Sequence, residues 1–179
     1  IICTYNRAKK LKGAIQSMLC ADIPDDVVVE LIVVNNNSDD DTKKIIKECS
    51  KNGINIKIKC LFEREQGKSH ALNNALRYVT GDIIAFTDDD VIIDKSWIAE
   101  MIDAASRYPK YNCFGGKVIA VYPENVPKWL DMHDSMGFLK SVFVDRDDGN
   151  TEGEYGIHTI SDTPGGVNMF FRREAIAKN

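Results

Sequence analysis

The stretch "IIAFTDDDVII" (residues 83–93) decides how the chain is expected to fold, because an apolar run passes abruptly into three consecutive aspartates. Its first four residues form a continuous apolar run, which is typical of a strand buried on both faces. Asp88, Asp89 and Asp90 follow after a single threonine. Like charges this close do not all ionise easily unless a cation is near. The stretch therefore predicts a buried strand that ends at a polar site.

On both sides of this stretch, apolar runs alternate with apolar residues at helical spacing. Strands are predicted at residues 1–3, 27–35, 54–62 and 82–87, and a helix is expected after each of them. The expected buried helix faces consist of Leu11, Ile15, Met18 and Leu19, then Ile45, Ile46 and Cys49, then Leu72, Leu76 and Val79, and finally Ile98, Met101, Ile102 and Ala105. This βαβαβαβα order predicts an α/β fold with a mostly parallel sheet and helices on both faces.

The helix ends and the second half of the chain carry weaker signals. Ser38 and Asp41 are spaced as a capping box for the second helix, Gly81 is expected to end the third, and Asp94 is expected to cap the fourth. Beyond residue 109 the pattern loosens, and residues 111–122 predict one strand with a Gly-Gly interruption.

The composition limits the class of protein. The chain has 179 residues, 44% of them hydrophobic, which suits one domain with a sizeable core. A net charge of −4 argues against nucleic-acid binding and against a basic patch for anionic lipid. No apolar run approaches the roughly 20 residues of a membrane span. The five cysteines have no metal or redox spacing and are expected to be reduced, buried thiols. Because Ile1 already lies in a strand-like run, we expect the chain to be a fragment.

Polar clusters follow the predicted strands at residues 4–7, 35–41, 66–74 and 87–90. In open parallel sheets, ligands bind beyond the carboxyl ends of the strands, so these clusters are expected to surround one crevice. A hard divalent ion takes carboxylate oxygens together with ligand phosphates. The three aspartates therefore predict Mg²⁺ or Mn²⁺ holding a diphosphate, and the alternative is a solvated acidic turn.

Two other phosphate-site patterns fit poorly. The "GKS" of residues 67–69 lacks the preceding glycine of a P-loop, because position 62 is Phe. Phosphatases of the haloacid dehalogenase type also use an Asp-x-Asp at a strand end, but theirs follows the first strand, whereas residues 88–90 follow the fourth.

Five segments together resemble the family 2 glycosyltransferases of the GT-A fold, which use nucleotide-sugar donors. They are "IICTYNR" (1–7), "VVNNNSDDDT" (33–42), "GKSHALNNAL" (67–76), "FTDDDVIIDKSW" (86–97) and "GGVNMFFRREA" (165–175). The resemblance covers nearly the whole chain. It implies one GT-A domain over residues 1–179, truncated at both ends, in which about 1–108 bind the nucleotide sugar and about 109–179 face the acceptor.

The resemblance also implies roles for individual residues of the first half. Thr4, Tyr5 and Arg7 would line the base and ribose pocket. Asn35 stands where the family usually has an aspartate that contacts the base, and Asn37 lies in the same donor-binding turn. The Asn35 amide can both accept and donate a hydrogen bond, so uridine specificity stays open.

The same resemblance implies the phosphate and metal ligands. Lys68 would approach the diphosphate or the base, while Asp88 and Asp89 would reach ribose or sugar hydroxyls. Asp90 aligns with the second aspartate of the family's Asp-x-Asp motif and would ligate Mg²⁺ or Mn²⁺, with Asp88 as the second metal ligand.

The acceptor side is implied by the last segment. The resemblance puts Gly165, Gly166 and Asn168 near donor sugar and acceptor, and Trp129 could stack on a sugar ring or pack in the core. The family's general base is a carboxylate in a Glu-Asp-type motif that is expected beyond Asn179. Asp162 matches no such motif.

The implied function is transfer of a sugar, most simply from a UDP-sugar, to a hydroxyl group with inversion. The acceptor would be a glycan, a lipid-linked molecule or another hydroxyl compound, in bacterial polysaccharide or glycoconjugate assembly. The expected location is the cytoplasm, including the inner face of the membrane. The alternatives are a non-catalytic nucleotide-sugar-binding module and a sugar nucleotidyltransferase, although the latter would carry a Gly-rich signature after the first strand.

Overall fold

The structure, a computed structural model, describes residues 1–51, 53, 55–121, 153 and 166–176. Its strands are β1 (Ile2–Thr4), β2 (Val29–Asn35), β3 (Ile56–Phe62), β4 (Ile83–Asp88), β5 (Cys113–Gly115) and β6 (Met169–Arg172). Its helices are α1 (Ala8–Leu19), α2 (Thr42–Ser50), α3 (Lys68–Leu76), α4 (Trp97–Arg107) and α5 (Arg173–Ile176).

The strands form one sheet in the order β3-β2-β1-β4-β6-β5. The first four are parallel to one another, with Ile2 opposite both Val33 and Thr87. β6 runs antiparallel to β4, and β5 antiparallel to β6. The mostly parallel α/β sheet is therefore confirmed. Because the strand order reverses between β1 and β4, the carboxyl ends of these two strands form the switch point where a ligand crevice is expected.

Both faces of the sheet are covered, as the continuous apolar run of β2 predicts. Leu31 and Val33 pack on one face against α1, α2 and the start of α4. Ile32 and Val34 pack on the other face against α3. Adjacent residues of a strand point to opposite faces, so a run buried on both sides has no polar alternation.

The third helix differs from the sequence prediction. Its fully buried residues are Ala71 and Ala75, whereas Leu72 and Leu76 are half-buried, and the helix ends at Leu76 well before Gly81. Two alanines facing Ile32 and Val34 allow the helix to lie close against the sheet, which larger side chains would prevent.

The predicted helix caps are also wrong. Ser38 accepts a hydrogen bond from the Asn6 N–H instead of capping α2, and the carboxylate of Asp40 accepts from the N–H of Thr42, the first residue of that helix. Asp94 accepts from Ser96, so it makes an Asx turn before α4 and not the cap itself.

The last two strands depart from the prediction as well. Of the described residues 111–121 in this expected strand, only 113–115 form β5, and the Gly116 N–H also bonds to the Asn168 carbonyl. The segment expected to be a loop near the acceptor contains β6 and α5. Phe170 is buried there and stacks on Phe114, with ring centroids 4.8 Å apart.

All five cysteines are free, but only Cys49 is buried. Cys3 is half-buried, and Cys20, Cys60 and Cys113 are exposed, so the expectation of buried thiols is wrong for most of them. Within the described residues, no helix is long and apolar enough to cross a membrane.

Candidate functional site

A cleft of about 370 Å³ lies at the carboxyl ends of β1 and β4. It is lined by Cys3, Thr4, Tyr5, Arg7, Asn36, Lys68, Asp88 and Asp89. These residues come from β1 and the loop after it, the loop after β2, the start of α3 and the end of β4. The cleft therefore forms at the switch point of the sheet, where the polar clusters of four separate segments meet.

Asp89 is the buried carboxylate of the charged network in this cleft. It is 4% exposed, and its two carboxylate oxygens accept hydrogen bonds from Thr4 Oγ1 at 2.7 Å and from Arg7 Nη1 at 3.1 Å. The register of the sheet makes this possible, because Cys3 pairs with Asp88 and so brings Thr4 beside Asp89. The hydrogen bond and charge of Asp89 raise the pKa of Arg7 above its usual value, so the guanidinium stays charged.

The two flanking aspartates also have cationic partners. Asp88 accepts from Lys68 Nζ, while Asp90 accepts from Arg7 Nη1 at 3.2 Å and from Lys10 Nζ at 3.3 Å. Three carboxylates thus face three cationic side chains. The sequence argument that the triplet requires a metal cation is weakened, since the protein's own side chains already balance the charge.

The carboxylates nevertheless suit a hard divalent ion. Asp88 lines the cleft and its side chain keeps 28% of its exposure, and that of Asp90 keeps 36%. The described residues contain no cluster of three or more His, Cys, Asp or Glu side chains that could enclose a metal by themselves. Mg²⁺ usually needs only one or two carboxylates plus the phosphates of its ligand. Asp88 and Asp90 fit that requirement.

The turn after β2 is arranged differently from the sequence expectation. Asn35 is 4% exposed, its Oδ1 accepts from the Ser38 N–H at 2.9 Å, and it is not among the residues that line the cleft. Asn37 is exposed and adopts a left-handed backbone conformation with φ 61°. It is Asn36 that reaches the cleft.

Asn36 was not identified from the sequence, although it organises the loop between β3 and α3. Its buried amide donates to the carbonyls of Glu63 and Glu65, at 3.3 and 2.6 Å, and accepts from the Gly67 N–H at 2.8 Å. The only signal in the sequence is its position directly after a buried strand. A polar residue at a strand end is common, so this signal does not single out Asn36.

The loops after β1 and β2 are joined by side chains that the sequence analysis also missed. Asn6 accepts from the Asp39 N–H at 3.0 Å, and its own N–H donates to Ser38 Oγ at 3.1 Å. Asp40 accepts from the Ala8 N–H at 2.9 Å. Asn6 has φ 51°, a left-handed conformation that asparagine tolerates well. These contacts fix the rim of the cleft on which Tyr5 and Arg7 stand.

Cys3 lines the cleft but has no nucleophilic character. Burial raises the pKa of its thiol to about 11. The thiolate is the reactive form, so Cys3 acts at neutral pH as a small apolar wall residue.

Of the four residues expected on the acceptor side, the structure describes Gly166 and Asn168, whereas Gly165 and Trp129 lie outside the described residues, as does Asp162. Asn168 Oδ1 accepts from Trp97 Nε1 at 2.9 Å, and its Nδ2 donates to the Lys117 carbonyl at 3.0 Å. Its side chain thus links α4 to the segment after β5.

Comparison with known proteins assigns this chain to a group of related enzymes. The family model described as "Glycosyl transferase family 2" matches residues 1–178. A curated relative, the glucosyl-dolichyl phosphate glucuronosyltransferase of Haloferax volcanii, is 30% identical over 83 residues, which are 42% of this chain and 26% of the relative.

Solved structures with a similar fold include a mannosyltransferase and the protein TarS. The mannosyltransferase PcManGT of Pyrobaculum calidifontis, in complex with GDP-Man and Mn²⁺, aligns with TM-score 0.60 and 27% identity over 66% of this chain and 34% of its own. TarS of S. aureus aligns with TM-score 0.68 and 20% identity over 99% of this chain and 47% of its own, and a complex of TarS with UDP-GlcNAc aligns with TM-score 0.60. The chain spans between a quarter and a half of the length of these proteins.

Proposed function

The chain belongs to glycosyl transferase family 2, and we propose that it moves a sugar from a UDP-sugar to an acceptor hydroxyl, with inversion at the anomeric carbon. The observation that carries the proposal is the switch-point cleft lined by Arg7, Lys68, Asp88 and Asp89, with Asp90 bonded to Arg7. Such a cleft offers both cations for a diphosphate and carboxylates for a divalent ion.

In the proposed reaction, the acceptor oxygen attacks the anomeric carbon while the bond from that carbon to the diphosphate oxygen breaks. The electron pair leaves with the diphosphate, and the acceptor proton passes to a general base. Asp88 and Asp90 would hold Mg²⁺ or Mn²⁺, which neutralises charge on the leaving diphosphate. Lys68, paired with Asp88 in the absence of donor, would turn to the diphosphate and add a second positive charge there.

The nucleoside would lie against the β1 side of the cleft. Tyr5 is 47% exposed and lines the cleft, so its ring is free to stack on a base. The Asn35 amide, which is buried and bonded to Ser38, is a less suitable base contact than the sequence suggested. Base selection would then rest on Tyr5 and backbone groups, with uridine as the proposed base.

The proposed acceptor is a glycan or lipid-linked hydroxyl, and the proposed pathway is polysaccharide or glycoconjugate assembly in the cytoplasm, including the inner face of the membrane. A curated relative whose name includes a dolichyl phosphate supports a lipid-linked acceptor. Bacterial origin and the roles of Gly165, Gly166, Asn168 and Trp129 stay predictions.

The test is calorimetric titration of the protein with UDP, GDP and dTDP, with and without Mn²⁺. We expect Mn²⁺-dependent binding of UDP that weakens roughly tenfold or more in Asp90→Ala, since one carboxylate of the ion's shell is lost. Asp41→Ala is the matched control and is expected to bind as the wild type does. A folded protein that binds none of the three nucleotides would overturn the proposal, and tighter binding of GDP would overturn the choice of donor.

Turnover separates an enzyme from a binding module. Slow Mn²⁺-dependent release of UDP from UDP-sugars by the protein, abolished in Asp88→Ala, is expected of a transferase that uses water in place of its acceptor. Tight UDP binding without any release from a panel of UDP-sugars, in the presence of glycan and lipid-linked acceptors, would favour a nucleotide-sugar-binding module.

A further inference from the structure

The start of α3 is held in position by a residue from the loop after β2. Lys68 is the first residue of α3 and follows the loop of residues 63–67. This loop leaves β3 at Phe62 and must bring the Lys68 ammonium to Asp88, the last residue of β4. The two strands are not neighbours, because β2 and β1 lie between them in the sheet. A loop that spans this distance needs a fixed path.

Asn36 supplies that path through all the polar atoms of its side chain. Both N–H groups of its amide are used, on the carbonyls of Glu63 and Glu65, and its oxygen takes the N–H of Gly67. The residue is 5% exposed, and its own backbone N–H donates to the Thr4 carbonyl at 2.9 Å. The backbone of Asn36 is therefore bonded to β1, and its side-chain amide holds three points of the loop.

The last of these points is the one that fixes Lys68. Gly67 precedes the helix with φ 141°, a conformation that side chains other than glycine rarely adopt. Its N–H is bonded to Asn36 and its carbonyl to the Ala71 N–H in the first turn of α3. The orientation of the first helical turn, and of the Lys68 side chain on it, thus follows from the Asn36 side chain.

We propose that Asn36 is a positioning residue for donor binding: its buried amide holds loop 63–67 so that Lys68 stands opposite Asp88 and meets the donor diphosphate. The inference rests on the proposed function, since it assigns Lys68 to the diphosphate. Both N–H groups of the Asn36 amide are already bonded to the loop, so we assign its effect on the donor to Lys68.

A double-mutant cycle on UDP affinity in the presence of Mn²⁺ tests this coupling. Lys68→Ala and Asn36→Ala are each expected to weaken UDP binding about tenfold, because each removes the same charged contact with the diphosphate. The double variant is expected to match Lys68→Ala within about twofold. Losses that multiply to about a hundredfold would mean that Asn36 acts independently of Lys68. An unchanged affinity of Asn36→Ala would equally overturn the proposal.

The control is Asn74→Ala. Asn74 also donates its amide to a carbonyl of this region, that of Phe62 at 3.1 Å, but it does so from the second turn of α3 and not from the loop. It is expected to leave UDP affinity within about twofold of the wild type. Where Asn36→Ala fails to fold, the isosteric Asn36→Asp serves instead, because it keeps an acceptor for Gly67 but has no N–H for the two glutamate carbonyls.

Amide hydrogen exchange tests the loop without any donor. In the wild type, the Gly67 amide is expected to exchange more slowly than that of Lys68, which lies in the first helical turn and has no intrahelical partner. This protection should vanish in Asn36→Ala, which has no acceptor for the Gly67 N–H. Equal exchange of Gly67 in wild type and variant would overturn the inference. Absence of UDP binding by the wild type, with Gly67 protected, would instead overturn the proposed function and leave Asn36 as a residue that only orders the loop.

Discussion

The chain contains the triplet Asp-Asp-Asp twice, at residues 39–41 and 88–90, each after a buried strand and on the same edge of the sheet. The first triplet is exposed and serves the backbone, with Asp40 accepting from the N–H groups of Ala8 and Thr42. The second has its middle residue buried and meets three cationic side chains. The two identical triplets therefore have different partners, backbone N–H groups in the first and cationic side chains in the second.

This difference follows from the position of each triplet relative to its strand. The second triplet begins inside β4, so the register places Asp88 beside Cys3 and Asp89 beside Thr4. The first triplet comes four residues after β2 ends, beyond the last ladder contact, where the chain turns into α2. Carboxylates at the start of a helix meet backbone N–H groups, whereas carboxylates at the end of β4 meet side chains of the neighbouring strand and of the loop and helices beside it.

The largest expected difference in stability between the two triplets is that caused by Asp89→Ala. We expect the free energy of unfolding to fall by about 3 kcal/mol, because the buried Thr4 hydroxyl and the Arg7 guanidinium both lose an acceptor. Urea unfolding followed by circular dichroism measures the change. Asp39→Ala is the control: among the described residues Asp39 bonds through its backbone N–H, so its loss should stay below about 0.5 kcal/mol. Equal losses would contradict the distinction.

Asp40→Ala should have an intermediate effect, of about 1 to 2 kcal/mol. The variant loses the acceptor for the Ala8 and Thr42 N–H groups, and so loses both a helix cap and a link between two loops. The comparison in the second triplet is Asp90→Ala, which removes only exposed ion pairs and should cost less than about 1 kcal/mol. The same urea experiment compares them, and a larger loss for Asp90→Ala would reverse the assignment.

The pH dependence of stability sharpens the role of Asp40. Burial alone raises its pKa, but hydrogen bonds from Thr42 and Ala8 outweigh burial and hold the pKa below its usual value. A lowered folded pKa means that the stabilisation is fully present above the ordinary aspartate pKa of about 4 and is lost as the pH falls through the folded pKa. The difference in thermal stability between wild type and Asp40→Ala should therefore be constant from pH 7 to 5 and shrink towards pH 3. A difference that persists at low pH would contradict this.

The sequence predicted the parallel half of the sheet because strands buried on both faces consist of continuous apolar runs, such as that of β2. The sequence analysis missed β6, since "MFFR" is too short to show a period. The pairing of β6 with β4 also joins residues that lie far apart in the chain, such as Ile84 and Phe171. It placed α3 too far along because helical spacing favours large residues, whereas close packing on the sheet selected Ala71 and Ala75.

The meeting of the polar clusters in one cleft could be predicted from the sequence, whereas their individual contacts could not. The polar clusters converge on one cleft because parallel strands present their carboxyl ends at one edge, which the strand order alone implies. The pairing of Asp88–Asp90 with Arg7, Lys10 and Lys68 was not predictable, since it depends on side chains from two helices and a loop that only the folded sheet brings together. Asn36 was missed because its role lies in a loop 27 residues away in the chain, at Glu63.

The smallest expected effect comes from Lys10→Ala, which tests whether the balance of charge at the second triplet is itself a source of stability. Lys10 pairs with Asp90 at the surface, where both side chains are at least a third exposed. Removing it should lower the free energy of unfolding by less than about 0.5 kcal/mol at low salt, and the difference should disappear near 0.5 M salt, where exposed charges are screened. Lys9→Ala, one residue earlier on the exposed face, is the control.

A loss well above that value, or one that persists in high salt, would mean that the cluster of Arg7, Lys10 and the aspartates stabilises the fold as a unit. The small value has the opposite implication. If the ion pair of Lys10 and Asp90 contributes little, then in the proposed function a divalent ion would take over the Asp90 carboxylate, and a diphosphate its cationic partners, without a large loss of protein stability. In the first triplet, Asp40 cannot exchange its partners in this way, because the N–H groups of Ala8 and Thr42 have no other acceptor among the described contacts. The same three residues thus form a structural cap before α2 in one place and, under the proposed function, an exchangeable set of ligands after β4 in the other.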